Sequence, residues 1–239
     1  MIPKNWRKPE EYDFCETLTS AQWAWEFLRR NPEYGRQWRA FHATWRELEA
    51  AYGKPPHRDF CAWKNDPRAW VPAETCPDGE CRIDGDKVLI ECALGARWGF
   101  YKFPPDPQDD DPVGEGRLVW RPRETAPLKQ LEPGEGAPDD PARVALVFDL
   151  SLPLRDQLDR ARLQLQKALA LRRRQGQVAP QRVSSLRGRW RRLLQVLDAE
   201  AVGELDALRE CWGSDTEALV EEAHRMANGG YLDVLGLPE

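Results

Sequence analysis

The chain has 239 residues with a formal net charge of −5, and 31% of its residues are charged. Eleven tryptophans and 41% hydrophobic residues exclude a disordered tail, and no apolar run approaches the ~20 residues a membrane helix needs. Residues 1–16 are polar and lack a signal-peptide apolar core, so a cytoplasmic protein is expected, with its six cysteines as free thiols.

The first elements are helical. Ser20 is placed to cap a helix over residues 21–30, and Asn31-Pro32 stops that helix and starts the next with Pro at its first position. The second helix carries Tyr34, Trp38, Phe41, Trp45, Leu48 and Tyr52 at spacings of 4, 3, 4, 3 and 4, and Gly53 closes it. A heptad stripe of this kind is a packing surface for the first helix or for a second copy of the chain. These six residues are therefore the expected self-association surface.

After residue 55 the periodicity changes. Residues 88–92 and 97–103 are short runs rich in β-branched and aromatic residues, separated by 93–96 and preceded by the turn signal Asp84-Gly85. They predict a small antiparallel sheet. Residues 104–116 hold five acidic residues and no basic one and read as an exposed loop, with 116–120 returning as a strand. Residues 125–141 are dense in Pro and Gly and read as a linker between a domain at 1–124 and another at 142–239.

The last hundred residues open on an apolar strand at 144–150. A helix follows over 153–175, closed by Gly176, with Leu154, Leu158, Ala161 and Leu165 as its buried seam and Arg160, Gln164, Lys167 and Arg174 on another face. Beyond a polar loop at 177–187, Trp190, Leu193, Leu194 and Leu197 fall at i, i+3, i+4 and i+7, which leaves Arg189, Arg191 and Arg192 outside the seam. Helices at 204–211 and 215–227 complete the chain, the last ended by Asn228-Gly229-Gly230. The fold class is α+β: an N-terminal helical hairpin with a small antiparallel sheet, then a mostly helical C-terminal DNA-binding domain.

Charge is distributed unevenly over these helices. Residues 155–192 hold twelve basic side chains against two acidic ones, and residues 193–239 hold two basic against eleven acidic. All twelve are arginines except Lys167, which favours forked contact with phosphates or guanine edges. The segment suits a polyanion; a solvated helix face balanced by the acidic tail is the bland alternative. The two acidic helices near the C-terminus resemble a helix-turn-helix in spacing, but Glu204, Asp206 and Glu210 in one and Asp215, Glu217, Glu221 and Glu222 in the other would oppose the phosphate field. DNA contact is expected instead from Arg160, Lys167, Arg172, Arg173, Arg174, Gln175, Arg182, Ser184, Ser185, Arg187, Arg189, Arg191 and Arg192.

Neither a metal centre nor an enzyme is expected. Cys76 and Cys81 share a Pro/Asp/Gly turn, with His57, Cys61 and Cys92 near in sequence, but the paired short knuckles of structural zinc sites are missing. Three histidines, no Gly-rich phosphate loop and no nucleophile motif argue against catalysis, and no cofactor is expected. Asp84 or Asp86 followed by the strand bearing Glu91 resembles a metal-dependent nuclease strand, yet Ala93 stands where its lysine belongs. These carboxylates read as a hairpin turn and a solvent-facing strand residue.

Two blocks resemble known families. Asn5-Trp6-Arg7 through Tyr12, with Trp23-Ala24-Trp25-Glu26-Phe27-Leu28-Arg29-Arg30-Asn31-Pro32-Glu33-Tyr34, resembles the proteobacterial transcriptional-regulator-like N-terminal domain. Val147-Phe148-Asp149-Leu150-Ser151-Leu152-Pro153-Leu154, the Arg-rich helix after it and Gly229-Gly230-Tyr231 resemble the RovC-type DNA-binding domain. The resemblance implies a regulator that binds double-stranded DNA as a homo-oligomer, a dimer or higher, with a hexamer among the assemblies implied. Another reading is a protein-interaction adaptor whose basic segment docks on an acidic partner; a nucleic-acid enzyme comes third.

Overall fold

The computed structural model describes residues 2–76, 84–101, 103–121, 142–178, 181–213 and 216–239. Its helices are α1 (Ser20–Leu28), α2 (Pro32–Tyr52), α3 (Phe60–Asn65), α4 (Ile90–Arg97), α5 (Leu154–Arg174), α6 (Val183–Ala201), α7 (Leu205–Trp212), α8 (Thr216–Arg225) and α9 (Tyr231–Val234), with strands β1 (Trp70–Pro72) and β2 (Lys87–Leu89). This is a mostly helical α+β fold. By its contacts the chain divides into one unit formed by Met1–Thr125 with Arg182–Glu239 and a second formed by Ala126–Gln181. The expected linker at 125–141 lies outside the described residues, as do Cys81 and Asp215.

In the larger unit the N-terminal elements form one core with the C-terminal helices. Trp23 and Phe27 of α1 pack on Trp190 of α6 with ring centroids 5.2 and 6.1 Å apart. Trp190, Leu193, Leu194 and Leu197 are all buried, as their spacing requires. Each such side chain contributes ~1.5–3 kcal/mol by leaving water.

Polar side chains fix how these helices meet. Three consecutive residues at the end of α1 each tie down a different partner. Arg29 donates to Asp110 Oδ1 at 2.9 Å and to the Pro107 carbonyl at 3.2 Å. Arg30 makes a bidentate pair with Asp198 of α6, both bonds 3.0 Å, and a further ion pair with Glu26. Asn31 caps α2 by accepting from the Glu33 and Tyr34 amides, and its Nδ2 donates to the Ala227 carbonyl at 2.9 Å. Tyr12 donates to Asp198 from a fourth direction at 2.8 Å. Burial raises the Tyr12 hydroxyl and also pushes the nearby Cys15 thiol up to about 12, whereas Asp198 and Glu26 hold the Arg30 guanidinium protonated against its desolvation.

Several expectations are corrected. The cap of α1 is Thr19, not Ser20: its hydroxyl accepts from the Gln22 amide while Gln22 Oε1 takes the Thr19 amide, a reciprocal box. The sheet pairs β1 with β2, Val71 opposite Val88, and not 88–92 with 97–103. Residues 90–97 are helix α4, because Ala93, Gly95 and Ala96, taken as a separator between strands, are small residues that allow close helix packing. Glu91 is accordingly a buried helix residue, not a solvent-facing strand residue. Residues 97–103 and 116–120 meet at one isolated bridge, Phe100 with Trp120. Gly99, whose carbonyl accepts from the Arg121 amide at 2.9 Å, has a φ of +86°, and a Cβ there would come within 2.5 Å of Leu232.

The acidic segment 104–116 is anchored, not a free loop. Pro104, Pro105, Pro107 and Pro112 are buried, and its carbonyls accept from Tyr34, Trp38 and Trp25. Residues 144–150 form no strand; no neighbouring strand pairs with them among the described residues, and Val147 is fully exposed. The chain also continues past Asn228-Gly229-Gly230 through a π turn at Met226–Gly230 into α9. Cys15, Cys61 and Cys211 are free, but Cys76 is disulfide-bonded, so the expectation of six free thiols fails there.

Candidate nucleic-acid interface

The expected DNA-contacting residues fall into two groups with different surroundings. In the larger unit, Arg182 to Arg192 open α6. Ser185 is used locally: its hydroxyl donates to the Arg182 carbonyl at 2.8 Å and accepts from the Arg182 amide at 3.2 Å, stitching the first turn. Arg189 forks onto Glu222 of α8, with Nε donating at 2.7 Å, and that bond raises the guanidinium further. Arg191 reaches Asp13 at 2.9 Å, the Pro9 carbonyl and, at 3.6 Å, Glu16. Arg192 lies over the Trp212 ring at 4.6 Å. Arg182 and Ser184 are exposed with no side-chain partner among the described residues, and the buried Nε of Arg187 is likewise without one.

In the smaller unit, α5 presents a different picture. Its start is built by Gln157, whose side-chain amide exchanges two hydrogen bonds with the Asp149 backbone at 2.8 and 2.9 Å. Its end is closed as expected: Gly176, at φ +68°, lets the Gly176 and Gln177 amides turn back to the Arg173 and Arg172 carbonyls. No residue of α5 is buried. The seam expected to be buried is therefore open, with Leu154 49%, Leu158 56% and Leu165 42% exposed. The apolar spacing is as expected, but none of the unit's described residues buries it.

Arg160, Lys167, Arg173, Arg174 and Gln175 are exposed and make no side-chain hydrogen bond or ion pair among the described residues; Arg172 donates to the Arg143 carbonyl at 3.0 Å. Arg155 and Arg162 share the same exposed setting and were missing from the expected set. Their signal was available, since at ~100° per residue they flank the leucine seam on the side away from Arg160 and Lys167.

The expected self-association stripe on α2 has partners within the chain. Tyr34 is buried and bonded to the Pro105 carbonyl, Trp38 donates to the Pro104 carbonyl at 3.0 Å, and Trp45 packs on Trp63 at 4.7 Å. Phe41 rests on Trp45, Leu48 is buried, and Tyr52 donates to Asp66 at 2.9 Å. That bond and the stronger ones from Arg68 hold the Asp66 carboxyl well below the usual carboxylate range. Among the described residues no group of three His, Cys, Asp or Glu side chains is arranged to hold a metal, and no helix is long and apolar enough to cross a membrane.

Residues 5–59 match the family model of the proteobacterial transcriptional regulator-like domain. A search of curated proteins and a search of solved structures each returned no match. That match suggests a role in transcription regulation, and the matched segment is also where Trp6, Arg29, Arg30 and Asn31 make their long-range ties.

Proposed function

We propose that the chain is a non-enzymatic, DNA-binding transcription regulator of the cytoplasm, and that α5 supplies the principal contact with duplex DNA. One observation carries this reading: Arg155, Arg160, Arg162, Lys167, Arg173 and Arg174 of α5 stand exposed without acidic partners among the described residues, in a chain whose N-terminal segment is similar to a regulator domain. Guanidinium groups left unpaired on a helix surface are suited to phosphate oxygens, and the sequence-independent part of DNA affinity comes from such contacts. Arg172, Arg182 and Arg187 extend the set along the sequence.

In this reading the oligomer forms through α5. Leu154, Leu158, Ala161 and Leu165 follow 4-3-4 spacing, the pattern by which one helix seats against another. Arg160, Lys167 and Arg174, each seven residues apart, lie roughly opposite that seam at ~100° per residue. A second α5 can cover the leucines and leave the basic stripe outward.

The test is binding of the full chain to duplex DNA across a salt series. With about six phosphate contacts, affinity falls by roughly a thousandfold between about 50 and 200 mM salt. No retention of DNA at the lowest salt, together with retention of an acidic protein, would replace this reading with the adaptor. Light scattering that returns a mass near 27.5 kDa at every concentration would remove the oligomer.

A further inference from the structure

A cleft of about 340 Å³ opens between the C-terminal half of α2 and α3, within the size range of small-molecule sites. Its walls are aromatic. Trp45 meets Trp63 at 4.7 Å and Phe103 at 5.3 Å, both edge to face. At the mouth, Phe60 is 56% and Phe103 51% exposed, so two large rings stand half in water beside an apolar cleft. Phe103 adopts a φ of 41°, a backbone conformation that a non-glycine residue takes at a cost, of the kind found where a ring must be held toward a ligand.

Arg58 gives the cleft its chemistry. The residue is only 8% exposed, and its guanidinium stacks 3.8 Å from the Trp63 ring centre and 4.8 Å from that of Trp45. Nε donates to the Gly53 carbonyl at 3.2 Å and Nη2 to Glu49 at 3.3 Å, while Nη1 donates to nothing among the described residues. Nη1 is thus the donor of this guanidinium that remains to offer an incoming acceptor. Lys64, exposed on the same rim, adds a second positive charge. Two carboxylates also line the cleft: Glu49 is the counter-ion of Arg58 and accepts from the Trp45 indole, and Glu91 is buried with its own interaction, so preference for an acid rests on the Nη1 donor and on Lys64.

We infer that this cleft binds a small planar aromatic carboxylate, whose ring lies among Trp45, Phe60 and Phe103 and whose carboxylate accepts from Arg58 Nη1 beside Lys64. The site is formed by residues of the larger unit and does not depend on the DNA reading. It gives a regulator a place to sense an aromatic acid.

Calorimetric titration of the full chain with three probes of one shape tests the charge requirement: benzoate, the neutral benzyl alcohol and the cationic benzamidine. Benzoate is expected to bind one per chain, at least about tenfold tighter than benzyl alcohol, with benzamidine not bound. Arg58→Gln should abolish benzoate binding. Because Arg58 also braces the two tryptophans, Lys64→Gln on the exposed rim provides the deciding variant if Arg58→Gln does not fold, and it should weaken benzoate several-fold with the circular dichroism unchanged. Benzamidine or benzyl alcohol binding as tightly as benzoate, an unaltered benzoate affinity in folded Lys64→Gln, or the lack of saturable benzoate binding would overturn the assignment.

Discussion

Helices α5 and α6 carry nearly the same sequence chemistry, leucines on one side and arginines on the others, and the structure treats them in opposite ways. On α6 the leucines are buried and Arg189, Arg191 and Arg192 are engaged by Glu222, Asp13, Glu16 and Trp212. On α5 the leucines are exposed, and Arg155, Arg160, Arg162, Lys167, Arg173 and Arg174 meet no carboxylate among the described residues. Density of positive charge along a chain thus does not say which arginines are available to a ligand. Availability depends on where the acids fall once the chain is folded, and the acids of α8 and of residues 9–17 fall beside α6.

The comparison breaks most severely at the centre of α6. Asp198→Ala leaves Arg30 and Tyr12 buried with a missing acceptor and should cost about 3–5 kcal/mol, read as a lowered urea midpoint. A loss below about 1 kcal/mol would mean that Glu26 alone satisfies the guanidinium.

Exchange of the two sets of basic residues should separate binding from stability. Arg160→Ala, Lys167→Ala and Arg174→Ala combined on α5 should leave the urea midpoint unchanged and flatten the salt dependence of DNA affinity by up to about three units. Arg189→Ala with Arg191→Ala on α6 should do the reverse, lowering stability by about 0.5 kcal/mol per exposed pair with little change in the salt slope. Equal salt slopes for the two variants would abolish the distinction between the helices.

The smallest effect is a pH dependence. Glu204 accepts from the Trp6 indole and from Arg7, and these bonds lower its carboxyl from the ordinary value of 4.5. Because the folded value lies below the unfolded one, the tie contributes fully above pH 4.5 and is lost as the pH falls through the lowered value. Glu204→Gln should therefore lose less stability than the parent chain between neutral pH and pH 4 and below, and parallel curves would remove Glu204 from that balance.

Much of the helical frame was legible because it is written locally. The Asn31-Pro32 start of α2, Gly53 and Gly176 at helix ends, and the Trp190 to Leu197 seam each depend on residues within a turn or two. The sheet was misread because three-residue strands carry almost no periodic signal, and Ala93 to Ala96 can serve a strand break or a packed helix equally well. The open seam of α5 was unreadable for another reason: spacing identifies an apolar face but not whether the chain supplies anything to lie on it. The roles of Arg29 and Arg30 were hidden since their partners, Asp110 and Asp198, are 81 and 168 residues away.

The grip of Arg30 on Asp198 bears on how such a chain can be inherited or engineered. Residues 5–59 are recognisable as a segment in their own right, yet one of the two carboxylates that neutralise Arg30 is encoded 168 residues further on. A chimaera that transplants the segment alone would carry an interior cation with one of its two counter-ions, Glu26, and not the other. Successful grafts should be those whose new partner helix brings an acidic residue to the same spot, and related chains that lose the arginine should be found to have lost the aspartate with it.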